Sequence, residues 1–203
     1  MTDLFSHIGD HLFLTICALA AALVLGLPLG VLIARLPQLR SVTLGAIGIA
    51  RVVPSLAVLA LMIPLVGVGF VPSVIALTLL AIPPIAINTQ LGLSHVAAEI
   101  VEAARGLGMS DRQVQRRVVW PLALPIVFAG IRTAAVEVIA SATLAAFIGG
   151  GGLGEFIVDG LANNDQATLL EGAVSVSLLA LGAQALLGFI ERRLTARTQG
   201  LPA

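Results

Sequence analysis

Any chemistry in this chain would have to come from three histidines, one cysteine and eleven carboxylates, and their spacing argues against most of it. His7, His11 and His95 are dispersed, with no cysteine or carboxylate at ligand spacing, so no metal site is expected. Cys17 is the only cysteine and lies inside an apolar run, which excludes an intrachain disulfide, a Cys-x-x-Cys redox pair and a cysteine metal cluster. No nucleophile comes with a base and an orienting acid, so the chain does not read as an enzyme and needs no cofactor of its own. Gly149, Gly151 and Gly154 satisfy the letter of Gly-x-Gly-x-x-Gly, but they follow a helix-length apolar run instead of a strand, which denies them the βαβ setting that binds dinucleotides. They read as a flexible loop or a tight turn. All eleven bases are arginines, and a phosphate-binding loop needs lysine. ATP spent on behalf of this chain must therefore be hydrolysed by another polypeptide.

What remains is charge and polarity in costly places. Counting back from Ile148 puts Glu137 near the middle of a bilayer, where a carboxylate costs ~2.5–3.5 kcal/mol on insertion scales unless it meets water or a partner. Arg132, five residues earlier, is ~140° around the helix and does not share its face. Two readings stay open: an ion pair with Arg51 from a neighbouring span, or a carboxylate lining a path through the membrane. Arg51 and Arg132 themselves fit the first inner turn of their spans, where arginine snorkels to water or pairs. Asn88, Thr89 and Gln90 either line the same path or cap a helix end facing headgroups.

The elements that must hold these residues follow from hydropathy. Over 203 residues the chain is 58% hydrophobic and only 11% charged, against roughly 25% charged in soluble domains. With eleven acids balancing eleven bases, the net charge of zero rules out nucleic-acid binding by bulk electrostatics. Residues 12–34 carry no charge and are long enough to cross a ~30 Å hydrocarbon core. Asp3 and Asp10 ahead of them, and the length of the run, argue against a cleaved signal segment. Turn signals at Gly67–Pro72 divide the next apolar stretch, and the spacing predicts spans at about 12–34, 44–66, 72–93, 124–148 and 172–190. The chain thus reads as one all-α membrane domain, residues 1–203, with five transmembrane helices. Gly26 and Gly30 in the first span bracket Pro28, which suits either a packing seam or a kink. Arg35, Arg40, Arg105, Arg112, Arg116, Arg117, Arg192, Arg193 and Arg197 flank alternate span ends, whereas the opposite segments hold acids and no base. Bases retained inside predict an outer N-terminus and a cytoplasmic C-terminus.

The longest cytoplasmic connection, about 97–121, reads as a helical hairpin. Helix formers run from Ala97 to Arg105, with Ile100, Val101 and Ala104 on one face and Glu99 and Glu102 on another. Gly106 and Gly108 can end that helix, Ser110-Asp111-Arg112-Gln113 is a capping box for a second, and Pro121 and Pro125 are expected to break the entry into the fourth span. A DNA-reading helix pair is excluded because the spans hold this one against the bilayer.

Glu102-Ala103-Ala104, then Gly108 after three residues, then Val118-Val119-Trp120-Pro121 after nine, resembles the EAA motif in membrane subunits of binding-protein-dependent ABC importers. Val118 and Trp120 replace the isoleucine and leucine of the pattern. The resemblance implies the MetI-like permease fold and a coupling hairpin whose Glu102, Ala103, Ala104, Gly108 and Pro121 serve a cytoplasmic ATPase, with Ala103, Ala104 and Gly108 in close contact. It also implies the bacterial inner membrane as location and, as partners, two ATPase subunits using ATP and Mg, a second permease chain, an external solute-binding protein and membrane lipid. The stretches Arg51–Gly67 and Gly130–Gly154 are similar to permeases for glycine betaine, carnitine and choline; methionine-importer permeases are the runner-up. In such a system Glu137, Asn88 and Thr89 are candidates for the translocation path, and Glu155, Asp159 and Asp165 for docking the binding protein. An ion-gradient-driven transporter would need intramembrane titratable relays, and Glu137 is the one deeply placed acid.

Overall fold

Lipid offers no partner to a free amide or carbonyl, so a chain this apolar must satisfy its backbone within helices. The computed structural model describes residues 2–36 and 52–199, with positions 38, 43, 45, 47 and 48 between them, and among the described residues it contains helices and no strand. They are α1 (Thr2–Arg35), α2 (Ser55–Val66), α3 (Phe70–Ser94), α4 (Ala98–Gly106), α5 (Asp111–Val114), a π-turn over Gln115–Val119, α6 (Trp120–Ala145) closed by a 3₁₀ turn at Ala146–Ile148, α7 (Gly154–Ala162) and α8 (Gln166–Gln199).

Four helical stretches are long and apolar enough to cross a membrane: Leu4–Arg35, Phe70–Ser94, Asp111–Ile148 and Gln166–Thr195. The predicted span at 72–93 matches α3 closely, because Gly67 and Gly69 turn at φ 92° and 109° just before it. The predicted span at 44–66 is described without gaps only in its second half, as α2, whose 12 residues are too short to cross alone. Of its start only positions 45, 47 and 48 are described, with Ile47 buried in a cluster with Ile33 and Ala86, and Arg51 lies outside the described residues. Three expectations are corrected. The first span starts at Thr2, ten residues early, since nothing among those residues stops a helix. The acidic segment after Ile148 contains the helix α7 as well as turns. Finally, Pro121 and Pro125 do not break the fourth span. Helix runs from Asp111 to Ile148, with Pro121 in the first turn of α6 and Pro125 within it, where the preceding π-turn has already widened the backbone ladder ahead of the missing donors.

Helix α3 lies between α1 and α6 and is the most buried of the four long helices. Apolar side chains gain little by leaving lipid for protein, so association here depends on close approach and polar ties. The core accordingly uses small residues at helical spacing: Ala18 and Ala22 of α1, Ala76 and Ala81 of α3, and Ala134, Val138 and Ala142 of α6, filled by Leu14, Leu59, Leu77 and Ile85. Gly26 and Gly30 face α3, which identifies the pair as a packing seam. A Cβ on Gly30 would sit 2.6 Å from the Ala86 carbonyl, and one on Gly130 would sit 2.7 Å from that of Pro84. The Thr78 hydroxyl donates to the Ala18 carbonyl at 3.3 Å, and buried His11 Nε2 donates to the Ile139 carbonyl at 3.0 Å, tying α1 to both neighbours. Arg132 pairs with Glu191 of α8 at 2.8 Å, so its charge is met by an ion pair.

Because there is no room at the α3–α6 crossing, Gly130→Ala is expected to cost about 1–3 kcal/mol by overpacking. Thermal unfolding in detergent micelles should show a lowered midpoint. Gly182→Ala, whose added Cβ meets nothing within 4 Å, should leave it unchanged or slightly raised. Equal midpoints for the Gly130 variant and the native chain would show that the two helices are not held this close.

Candidate functional site

The EAA-like segment folds as the hairpin its spacing predicts, and its turn has a definite geometry. At the end of α4 the amide of Gly108 donates to Arg105 at 2.9 Å and that of Met109 to Ala104 at 3.2 Å, the paired bonds of a Schellman motif. Such a motif needs a left-handed residue, and Gly108 supplies it at φ 83°. The Ser110 amide donates to Gln113 Oε1 at 2.8 Å in the capping box that opens α5, and Arg105 pairs with Asp111 at 3.0 Å across the turn. Ala104, Val114 and Val119 form a small core under this turn, flanked by Leu93, Val96, Val101 and Met109.

That core changes the assignment of individual residues. Ala104 is buried within the hairpin, so it is not a surface for a partner as it stands, whereas Glu102, Ala103 and Gly108 are exposed. Ile100, expected on the same face as Val101 and Ala104, is 45% exposed. Leu107, between the two glycines, is 85% exposed at the tip and was missed. Its signal was an aliphatic side chain in an otherwise small and polar turn. Arg112, Arg116 and Arg117, with Ser110 and Gln113, line an adjoining polar cleft of about 380 Å³. Pro121 sits at the start of α6, away from the tip.

A second concavity, about 310 Å³, is lined by Glu137 and Ser141 of α6, Leu80 and Pro83 of α3, and Val52, Val53, Pro54 and Ser55 at the start of α2. Glu137 and Ser141 are one helical turn apart and share a face. The alternative partner for Glu137, Arg51, lies outside the described residues. Asn88 and Thr89 are not in this cavity. Asn88 Nδ2 donates to the Pro84 carbonyl at 2.8 Å and its Cβ abuts Gly130, while Thr89 is buried against Gly30. Gln90 is buried too, donating to Ser94 at 3.0 Å. All three are within α3, and they face neighbouring helices or a neighbouring turn instead of capping an end.

At the opposite end of the bundle, Glu155 of α7 accepts from His7 Nε2 at 2.8 Å, and the His7 ring meets Phe156 edge-on. The Gly69 amide donates to the Ile148 carbonyl at 2.6 Å, and Gly149, Gly151 and Gly152 take positive φ in the turn beyond. Asp165 caps α8: it accepts from the Thr168 hydroxyl at 2.6 Å and from the amides of Thr168 and Ala167 at 3.4 and 3.0 Å. The Thr168 hydroxyl first, and those two amides after it, hold its carboxyl below the usual aspartate range. Asp159 is exposed. Among the described residues no group of three or more histidine, cysteine or acidic side chains could hold a metal ion.

A family model described as binding-protein-dependent transport system inner membrane component matches residues 26–196. The glycine betaine/carnitine/choline transport system permease protein OpuCB of Bacillus subtilis (strain 168) is 39% identical over 193 residues, covering 95% of this chain and 89% of its own length. The carnitine transport permease protein OpuCB of Listeria monocytogenes is 41% identical over 193 residues, covering 95% and 88%. The osmoprotectant import permease protein OsmW of Salmonella typhimurium is 41% identical over 177 residues, covering 85% and 82%. Among solved structures, a chain of the MetNI methionine ABC transporter in an inward-facing conformation superimposes with a TM-score of 0.81 at 24% identity, covering 94% of this chain and 95% of its own, which shows a shared fold.

The Asp165 cap is testable by amide exchange. A carboxyl whose value is depressed by folding stabilises the helix start above the ordinary aspartate value of ~3.9, and that stabilisation is lost as pH falls through the lower folded value. Protection of the amides at 167 and 168, corrected for intrinsic exchange, should therefore fall on acidification in the native chain. It should be low throughout in Asp165→Ala and independent of pH in Asp165→Asn, which keeps an accepting oxygen. Acid-independent protection in the native chain would overturn the cap.

Proposed function

The chain belongs to the inner membrane components of binding-protein-dependent transport systems, and from that membership we propose that it is the permease of an ATP-driven importer for glycine betaine, carnitine, choline or related quaternary ammonium solutes. It is a transport component and not an enzyme. The observation that carries the solute class is identity of 39–41% to permeases named for those solutes, across nearly the whole chain. Methionine is the weaker reading, because likeness to its transporter at 24% identity carries the fold alone.

In this reading two permease chains surround the path, the hairpin meets one of two ATPase subunits that bind ATP and Mg, and the N-terminus faces outward. The binding protein docks near Glu155, Asp159 and Asp165. Asp159 is the freest of these, since the other two already hold His7 and the start of α8. Selection of quaternary ammonium favours aromatic cages. This chain has no tyrosine, its single tryptophan is at the hairpin end, and no aromatic residue lines the Glu137 cavity. High-affinity selection therefore belongs to the binding protein, and the permease supplies a low-affinity route. Glu137 and Ser141 flank that route, and Asn88 and Thr89 set the spacing of the helices beside it. The Glu137 carboxylate offsets the fixed charge of a passing trimethylammonium group.

Two measurements test this. Glu137→Gln should slow uptake of cationic choline about tenfold more than uptake of zwitterionic betaine, equivalent to ~1.4 kcal/mol of selective barrier. Equal slowing of the two would remove the charge from the mechanism. For the hairpin, Gly108 is a poor probe, because any L side chain at its positive φ strains the turn. Leu107 is 85% exposed, so Leu107→Asp is expected to leave the fold intact. It should reduce uptake at least about tenfold and weaken co-purification of the ATPase, while membrane insertion stays normal. Full uptake by this variant would exclude the tip as the coupling contact.

A further inference from the structure

At the hairpin end of the bundle, away from the Glu137 cavity, two adjoining concavities of about 370 and 120 Å³ share Val31, Arg35 and Trp120. The larger is walled by Leu27, Pro28, Val31 and Leu32 on one face of α1, and Leu32 is 53% exposed. The smaller adds Leu93, Val119 and Gln115. Chemistry changes along this groove. Its lower part is hydrocarbon; its upper part carries the Arg35 guanidinium, in the last turn of α1, and the indole of Trp120. Arg35 is exposed and makes no ion pair among the described residues, and the indole N–H of Trp120 meets no protein acceptor there. The negative end of the α1 dipole keeps a cation favourable at this position.

We propose that this groove is a binding site for an anionic glycerophospholipid of the hairpin-side leaflet. An acyl chain lies along Leu27, Pro28, Val31 and Leu32, and the phosphodiester and anionic headgroup lie against Arg35 and the Trp120 N–H. Charge complementarity selects the occupant. A free inorganic anion gains nothing from apolar walls below the guanidinium, and a neutral or zwitterionic lipid leaves the unpaired positive charge of Arg35 without a net counter-charge. The height also fits, since tryptophan and arginine at a span end sit where headgroups meet hydrocarbon. The site asks nothing of the transported solute and stands whichever solute is carried.

The sequence supplies its own reporter. Trp120 is the only tryptophan and there is no tyrosine, so emission from the full-length chain reports on this groove. The purified chain would be reconstituted in vesicles in which phosphatidylglycerol or phosphatidylcholine carries brominated acyl chains, and quenching of Trp120 followed against mole fraction. The expected result is an apparent affinity about fivefold higher for brominated phosphatidylglycerol, from the weight of one basic residue near an anionic headgroup. Arg35→Gln should equalise the two lipids, and Arg35→Lys should retain most of the preference. Combined Arg116→Gln and Arg117→Gln, which thin the neighbouring basic cleft, should leave it intact. Equal quenching by both lipids in the native chain, a preference that survives Arg35→Gln or follows the Arg116 and Arg117 changes, or absence of quenching by either lipid would each overturn the site.

Discussion

Close approach of α3 to its two neighbours is the constraint on which the rest of the molecule depends. In lipid, burial of hydrocarbon does not drive helices together, so contact must come from backbones brought near enough for dense packing. Gly30 and Gly130 provide that approach on opposite sides of α3, against the carbonyls of Ala86 and Pro84. The side chains that looked most like path-lining groups, Asn88 and Thr89, are consequences of the same arrangement: each fills the groove left by one of those glycines. Polar ties at Thr78, His11 and Arg132 then fix sliding and rotation that packing of small residues alone would leave soft.

The same scaffold carries the hairpin and the cavity on one element. From Asp111 to Ile148 the backbone stays helical, so the hairpin core around Val114 and Val119, the cavity face with Glu137 and Ser141, and the turn that receives the Gly69 amide lie along one strut. No hinge loop interrupts it. The hairpin and Glu137 are therefore joined by continuous helix and not by connecting loops.

Much of this was legible in the sequence where the signal is local. The start of α3 followed from the glycines and proline at Gly67–Pro72; the Ser110–Gln113 box and the Gly108 stop followed from capping chemistry. The failures share a cause, which is that an element's fate was set by neighbours the sequence does not display. Pro121 looked like a breaker because proline removes a donor, but it directly follows a π-turn whose ladder is already altered, and helix continues through it and through Pro125. Ala104 looked like a surface residue because the resemblance implied a close contact there, yet it is the floor of the hairpin. For the candidate site, Glu137 stood out as a lone acid in an apolar run. The residues facing it from α2 and α3 could not be found by spacing, because they are brought there by tertiary packing from more than fifty positions away.

The π-turn at Gln115–Val119 has a consequence for direction. Holding one residue more per turn than an α-helix, it shifts the phase of everything before it by about 100° relative to α6. The direction in which Leu107 and the arginines around Arg112 project, relative to the α6 face that carries Glu137, thus includes that one-residue step, and the packing of the hairpin core against Leu93 and Val96 holds it. Two chains with the same transmembrane packing and the same hairpin sequence, differing by one residue between Val114 and Trp120, would present their hairpin tips to different compass points.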